Sequence, residues 1–278
     1  MTWEETIQYI RTKPEYKFLV EKAYFEEDLS LNVERFRESS EYHETLKEIK
    51  KYAPSAKKIL DIGSGNGITC IALALDGYDV TTVEPDSSDT IGAGAIRKLK
   101  ELYHLQNIKI YEAFAEEIKF PDGEFDIVYA RQCMHHAYHL QKFVGEMSRV
   151  LRKDGLFFTV RDHVIYDEKD KQWFLENHPL QKYYGGENAF TSDEYKHAIN
   201  KAGLDLQKEM KFFDSEINFF PETPESIVER KRIFDNTIKS KLYYKIFSAK
   251  KNSKINDMLT DSEKLIPGRM YSYVAIKR

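Results

Sequence analysis

An apolar run, Lys58-Ile59-Leu60-Asp61-Ile62, leads straight into Gly63-Ser64-Gly65-Asn66-Gly67, with a glycine at every second position. Without a Cβ, these glycines let the backbone turn sharply and approach a ligand closely at a strand tip, before a helix starting near Ile68. Seventeen residues beyond Gly67, the β-branched run Asp79-Val80-Thr81-Thr82-Val83 ends on Glu84. A carboxylate there can accept hydrogen bonds from both hydroxyls of a ribose. Glycine turn and strand-end acid together read as a site for a nucleoside-containing cofactor. The dinucleotide spacing G-x-G-x-x-G would need a third glycine where Ile68 stands. A nicotinamide therefore stays open as an alternative on these residues alone.

A second set of residues could move protons. His135 and His136 follow one strand-like run, and Arg161-Asp162-His163 follows another, so all lie where ligands bind at the carboxyl ends of such strands. Imidazole is the side chain suited to proton transfer near neutral pH. Asp162 and His163 are the first candidates for a general base, and His136 is the next. No metal is expected, because adjacent histidines project in different directions and no third ligand recurs at helical spacing. After His178-Pro179, the stretch Tyr183-Tyr184-Gly185-Gly186-Glu187-Asn188 offers aromatic walls and a few polar groups that could fold over an acceptor; a hydrated turn is the equal alternative.

The elements that must position these groups alternate. Strands are expected near 57–62, 79–84, 108–112, 125–130 and 156–161, separated by helix-compatible stretches, so the sheet begins parallel. Leu140, Phe143, Val144, Met147 and Leu151 repeat at helical spacing. Capping boxes are spelled by Thr2 with Glu5 and by Thr191 with Glu194, and the second opens a helix that stops at Gly203. A sixth strand is expected near 206–213, and Met270 to Ile276 alternates as a last one.

Four segments carry a resemblance. They are Ile59 to Gly67, the pair Glu84-Pro85, the stretch Ala115 to Asp126, and Arg149-Val150-Leu151-Arg152-Lys153-Asp154-Gly155. In order and spacing they resemble the successive motifs of class I S-adenosylmethionine-dependent methyltransferases, most of all the bacterial small-molecule type. The likeness is close over about 57–162 and looser to about 205. It implies a doubly wound, seven-stranded, mostly parallel α/β sheet whose last strand is antiparallel, and S-adenosyl-L-methionine as cofactor. It further implies that Asp61, Gly63, Ser64 and Gly65 line the methionine part and that Glu84, followed by Pro85, takes the ribose. Ala115 and Glu116 would flank the adenine, and Arg131 with Gln132 would approach the methionine end. Many relatives carry Asp just before the Ala-Glu pair, where this chain has Phe114. The implied activity is methyl transfer to a small-molecule acceptor, against two alternatives: an NAD(P)-dependent oxidoreductase and a non-catalytic S-adenosylmethionine-binding protein.

Composition bounds the rest. With 278 residues the chain is long for one minimal domain and short for two. The expected division is an N-terminal helical cap over 1–55, a cofactor-binding core over 56–213 and 270–278, and a helical lid over 214–269. That insertion also reads as a dimerisation surface, so a homodimer is a candidate assembly. Forty-six acidic against 42 basic residues give a net charge of −4, which disfavours nucleic acid as substrate. Cys70 and Cys133 are too few for a disulfide framework. No 18-residue apolar stretch appears and the start, Met1-Thr2-Trp3-Glu4-Glu5, is acidic. A cytoplasmic protein without a membrane span is expected.

Overall fold

The computed structural model describes residues 1–223, 225–226, 263–264 and 266–278. Its centre is a sheet built from β1 (Lys58–Ile62), β2 (Asp79–Val83), β3 (Ile108–Tyr111), β4 (Phe125–Arg131), β5 (Leu151–Ile165), β7 (Leu204–Met210) and β8 (Met270–Lys277), with the two-residue β6 (Phe190–Thr191) beside β5. The order is β3-β2-β1-β4-β5-β8-β7. The first five strands are parallel, and β8 lies antiparallel between β5 and β7. This is the expected doubly wound sheet, with its chain reversal between β1 and β4, the place where such sheets open a crevice for ligands.

Residue alternation explains the two covered faces. Leu60, Ile62, Val128, Ala130 and Phe157 belong to one buried cluster, while Ile59, Ile127, Tyr129, Leu156 and Phe158 belong to another on the opposite face. Both faces are apolar, so both need helices. Helices α5 (Ile68–Leu75) and α6 (Ala93–Leu102) join β1 to β2 and β2 to β3, and α7 (Leu140–Val150) joins β4 to β5. The helix expected to stop at Gly203 is α10 (Ser192–Lys201), opened by the Thr191–Glu194 capping box.

The N-terminal segment is helical as expected: α1 (Trp3–Arg11), α2 (Lys17–Lys22), α3 (Leu29–Glu38) and α4 (Ser40–Tyr52). The Thr2–Glu5 capping box forms, and Pro14 opens a short 3₁₀ turn after α1. Helix α3 packs against α5, so this segment covers one flank of the core.

Strand limits differ from expectation at β5 and β7. β5 runs on to Ile165, past the expected end at 161, so Arg161, Asp162 and His163 lie inside this strand, where Asp162 and His163 pair with β8, and not after it. β5 begins at Leu151, five residues early, because Leu151 already pairs with Phe125 before a bulge. β7 ends at Met210, and Phe212–Asp214 forms a 3₁₀ turn in which the Asp214 carboxylate accepts from the Lys211 amide and the Asp214 amide donates to the Lys211 carbonyl. Of the lid expected over 214–269, the short α11 (Glu216–Phe219) is described, and most of the remainder lies outside the described residues. Among the described residues no helix is long and apolar enough to cross a membrane.

Candidate functional site

The glycine turn sits at the carboxyl end of β1. Gly63 and Gly65 adopt φ of 66° and 54°, the left-handed region that side chains resist. A Cβ on Gly63 would lie 2.4 Å from the Cys133 sulfur, so only glycine lets β1 and the loop after β4 come this close. At Gly65 a Cβ would meet only the Ile91 carbonyl, at 3.9 Å. Gly65→Ala should therefore cost about 1–2 kcal/mol of backbone strain without a clash. Urea unfolding checks this, and a variant as stable as the parent would show that the turn is relaxed there.

Two buried carboxylates flank the turn. Asp61 accepts a hydrogen bond from the Ser64 hydroxyl at 2.6 Å, and the same hydroxyl meets Thr82 of β2. Its other oxygen, Oδ1, is buried with no partner. Glu84, at the tip of β2, accepts from the Gly65 amide at 2.7 Å and from the Asp86 amide at 2.9 Å. Burial pushes both carboxyls up to about 7 despite these donors. Pro85 is exposed beyond Glu84. A buried pair of acids whose acceptor capacity is not filled suits hydroxyl or ammonium donors of a ligand.

Ala115 and Glu116 lie in a 3₁₀ turn after β3, and Glu116 accepts from the Tyr138 amide at 3.0 Å. Phe114 and Tyr138 are exposed, with ring centroids 6.5 Å apart, and form an aromatic lip at this edge. The structure thus gives Phe114 a surface position and leaves Glu116 holding a loop.

Arg131 and Gln132 end β4, and they point to different neighbours. Arg131 makes a bidentate pair with the fully buried Glu41 of α4, at 2.6 and 3.1 Å, beneath the rings of Tyr24 and Phe36. Arg161 joins from β5, 3.5 Å from the same carboxylate. Gln132 takes φ of 49°, and its side chain lies 3.7 Å from the Met270 sulfur.

The register between β5 and β8 shifts between Thr159 and Asp162, and Arg161 takes φ of 61° within that irregularity. Bulges re-aim side chains, and here they turn Asp162 and His163 inward. Asp162 Oδ1 accepts from the His135 amide and lies 3.1 Å from His135 Nδ1. Burial raises the Asp162 carboxyl to about 7. His163 Nδ1 is 2.6 Å from the Gly268 carbonyl, and His136 Nδ1 is 3.1 Å from the Gly186 carbonyl. Ring centroids of His135 and His163 are 4.8 Å apart. The three residues named in sequence as proton-transfer candidates, His136, Asp162 and His163, are thus brought together around His135. Burial holds the imidazoles neutral, with His163 pushed down to about 3 and His178 to about 4.

The loop at Tyr183–Asn188 is legible in sequence, but its partners are not. The structure folds it inward so that Glu187 reaches this histidine group, with Oε2 3.9 Å from His135 Nε2 and Oε1 3.6 Å from His178 Nδ1. Its paired glycines and His178-Pro179 are the signal visible in sequence, and what no local pattern could give is the contact with His135 at the tip of a different strand.

Comparison with known proteins bears on the family and the fold. A methyltransferase-domain family matches residues 33–209. An uncharacterized methyltransferase, YcgJ of Bacillus subtilis, is 33% identical over 113 residues, covering 38% of this chain and 40% of that protein. Malonyl-[acyl-carrier protein] O-methyltransferase of Geobacter sulfurreducens is 27% identical over 183 residues, covering 63% of this chain and 65% of that protein. The matched regions thus span about two fifths to two thirds of these relatives. Among solved structures, YcgJ superposes over 85% of this chain and 99% of its own, with a TM-score of 0.54 at 20% identity. Geranyl diphosphate C-methyltransferase of Streptomyces coelicolor, solved with Mg²⁺, geranyl diphosphate and S-adenosyl-L-homocysteine, covers 85% of this chain and 79% of its own, with a TM-score of 0.59 at 12% identity. With a family match over most of its length and the doubly wound sheet that goes with it, the chain belongs to the class I S-adenosylmethionine-dependent methyltransferases.

Proposed function

We propose that this protein transfers the methyl group of S-adenosyl-L-methionine to a small-molecule acceptor. The observation that carries the reading is the buried acid pair at the glycine turn: Asp61 with an unpartnered Oδ1, and Glu84 beside the Gly65 amide. Glu84 would take the ribose hydroxyls, Asp61 and Ser64 the methionine end, and the 3₁₀ turn at Ala115–Glu116 the adenine. The cofactor supplies an activated methyl on a sulfonium, so the chain's task is chiefly to orient donor and acceptor and to exclude water.

The residues facing the acceptor side are those at the tips of β4 and β5. His163, Asp162 and His136 are the candidates for receiving an acceptor proton, and Asp162, raised to about 7 by burial, has the basicity closest to that task. The net charge of −4 supports a small molecule over nucleic acid. The division into cap, core and lid is likewise our reading, with the N-terminal helices closing the cofactor side.

Two measurements test it. Calorimetry should give saturable binding of S-adenosylmethionine and none of NADH, and the reverse would overturn the cofactor assignment. Transfer of labelled methyl from S-adenosylmethionine into a metabolite extract should follow. Binding without any transfer across such extracts would favour a non-catalytic binding protein.

A further inference from the structure

The inward-turned histidines and the folded-in loop meet at one point. One ligand-capable atom from each of His135, His163 and Glu187 lies within 4.8 Å of the other two, and all three residues sit below the surface. The tautomers follow from their partners. The Gly268 carbonyl can only accept, so His163 carries its proton on Nδ1 and keeps the lone pair on Nε2. His135 Nδ1 faces the Asp162 carboxylate, which leaves its own Nε2 lone pair facing Glu187 Oε2. A histidine whose Nδ1–H is held by a carboxylate or a carbonyl while Nε2 stays bare is the arrangement that orients imidazole toward a metal.

A fourth group stands beside them. His178 Nδ1 is buried with no hydrogen-bond partner, 3.6 Å from Glu187 Oε1. A purely structural cluster would pair its lone pairs with donors, because buried unpaired polar groups cost about 1–3 kcal/mol each. Two imidazoles and a carboxylate thus converge at one point, with the His178 imidazole standing beside the carboxylate.

We propose that His135, His163 and Glu187, with His178 adjoining, form a divalent-cation site on the acceptor side of the cleft. Two imidazoles and one carboxylate suit a borderline cation such as Zn²⁺, or Fe²⁺ or Mn²⁺, rather than Ca²⁺. Metal bonds of about 2.0–2.2 Å require the ligand atoms to draw in by about 1 Å, a change within reach of side-chain torsions on a loop that follows Gly185 and Gly186. Three protein ligands leave coordination positions open, as catalytic rather than structural sites do. The natural occupant of an open position is an oxygen of the acceptor. That use of the site rests on the methyl-transfer reading, whereas cation binding does not.

The test uses the full chain, stripped with chelator and titrated with Zn²⁺ alone. One equivalent should bind with a Kd in the micromolar range or tighter, and Glu187→Gln and His163→Gln should each weaken it at least tenfold. No stoichiometric binding below about 100 μM, or equal affinity in both folded variants, would overturn the site. Should a variant lose its fold, the parent decides by itself: Co²⁺ should give the intense visible bands of a four- or five-coordinate site. The pale spectrum of hydrated Co²⁺ would sink the proposal. Failure of S-adenosylmethionine binding would leave this result untouched, because the titration reads the cation only.

Discussion

Replacing Glu41 with alanine should lower the unfolding free energy by about 3–5 kcal/mol, the cost of stripping the partner from buried charges. Glu41 is fully buried on α4 and is held by Arg131 of β4 through two hydrogen bonds, with Arg161 of β5 3.5 Å away. Burial alone would raise its carboxyl, but the two guanidinium groups outweigh that and hold it below its ordinary value. Removing it would leave two buried cations with one set of ring faces and two carbonyls between them: Tyr24 and Phe36 over Arg131, and the Ile217 and Phe220 carbonyls on Arg161. The same side chain ties the N-terminal helices to two central strands, so the loss should also loosen the cap. Because the folded-state pKa is depressed, this stabilisation is present above the unfolded value near 4 and is lost as pH falls through the folded value. Urea titrations of parent and Glu41→Ala at neutral pH measure the effect, and a difference under about 1 kcal/mol would mean that the arginines find water instead.

How legible this was in the sequence depends on distance along the chain. The turn at Gly63–Gly67, helix α5 after it and the acid ending β2 are local patterns: apolar alternation, glycine spacing and a breaker, each within about ten residues. The sheet could be drawn from them. The early start of β5 was hidden because Arg152, Lys153 and Asp154 look like a turn, and only pairing of Leu151 with Phe125 makes that stretch a strand. Glu41 and Arg131 are 90 residues apart, and nothing in either neighbourhood announces the other. Arg131 therefore read as a residue near the methionine end; its guanidinium is paired with Glu41 of α4 and still acts on the Asp61 carboxyl, which it holds down against the effect of burial. The histidine group was half visible. His135, His136 and His163 sit at strand ends that periodicity locates, but His178 and Glu187 reach them only through the folding of α8 (Glu168–Asn177), α9 (Gln181–Tyr184) and the glycine pair after it. Adjacency in sequence argued against a metal, and adjacency in space brings the ligand atoms together.

Glu84→Ala should weaken S-adenosylmethionine binding by about 1.5–3 kcal/mol, roughly ten- to a hundredfold, while leaving the sheet folded. The carboxylate sits at the tip of β2 and accepts from the glycine-turn amide at 2.7 Å, so the loss removes a strut for the turn and, on the proposed cofactor placement, the acceptor for the ribose. Its ionisation gives a second, independent signature. Burial raises Glu84 to about 7, and Asp61 to about 7 beside it. A carboxyl raised in this way stabilises the free protein below its unfolded value near 4, and that contribution is lost as pH rises through 7. Ribose hydroxyls donate to the ionised form and a sulfonium favours it, so the bound state should hold both acids ionised. Binding must then release protons at and below pH 7, and affinity should fall by up to about tenfold per carboxyl for each unit of pH below that point. Calorimetry at pH 6.5 in buffers of different ionisation enthalpy counts the protons. Glu84→Ala should release fewer, while an unchanged count and unchanged affinity would remove Glu84 from the ribose site and leave Asp61 as the acid that answers to the cofactor.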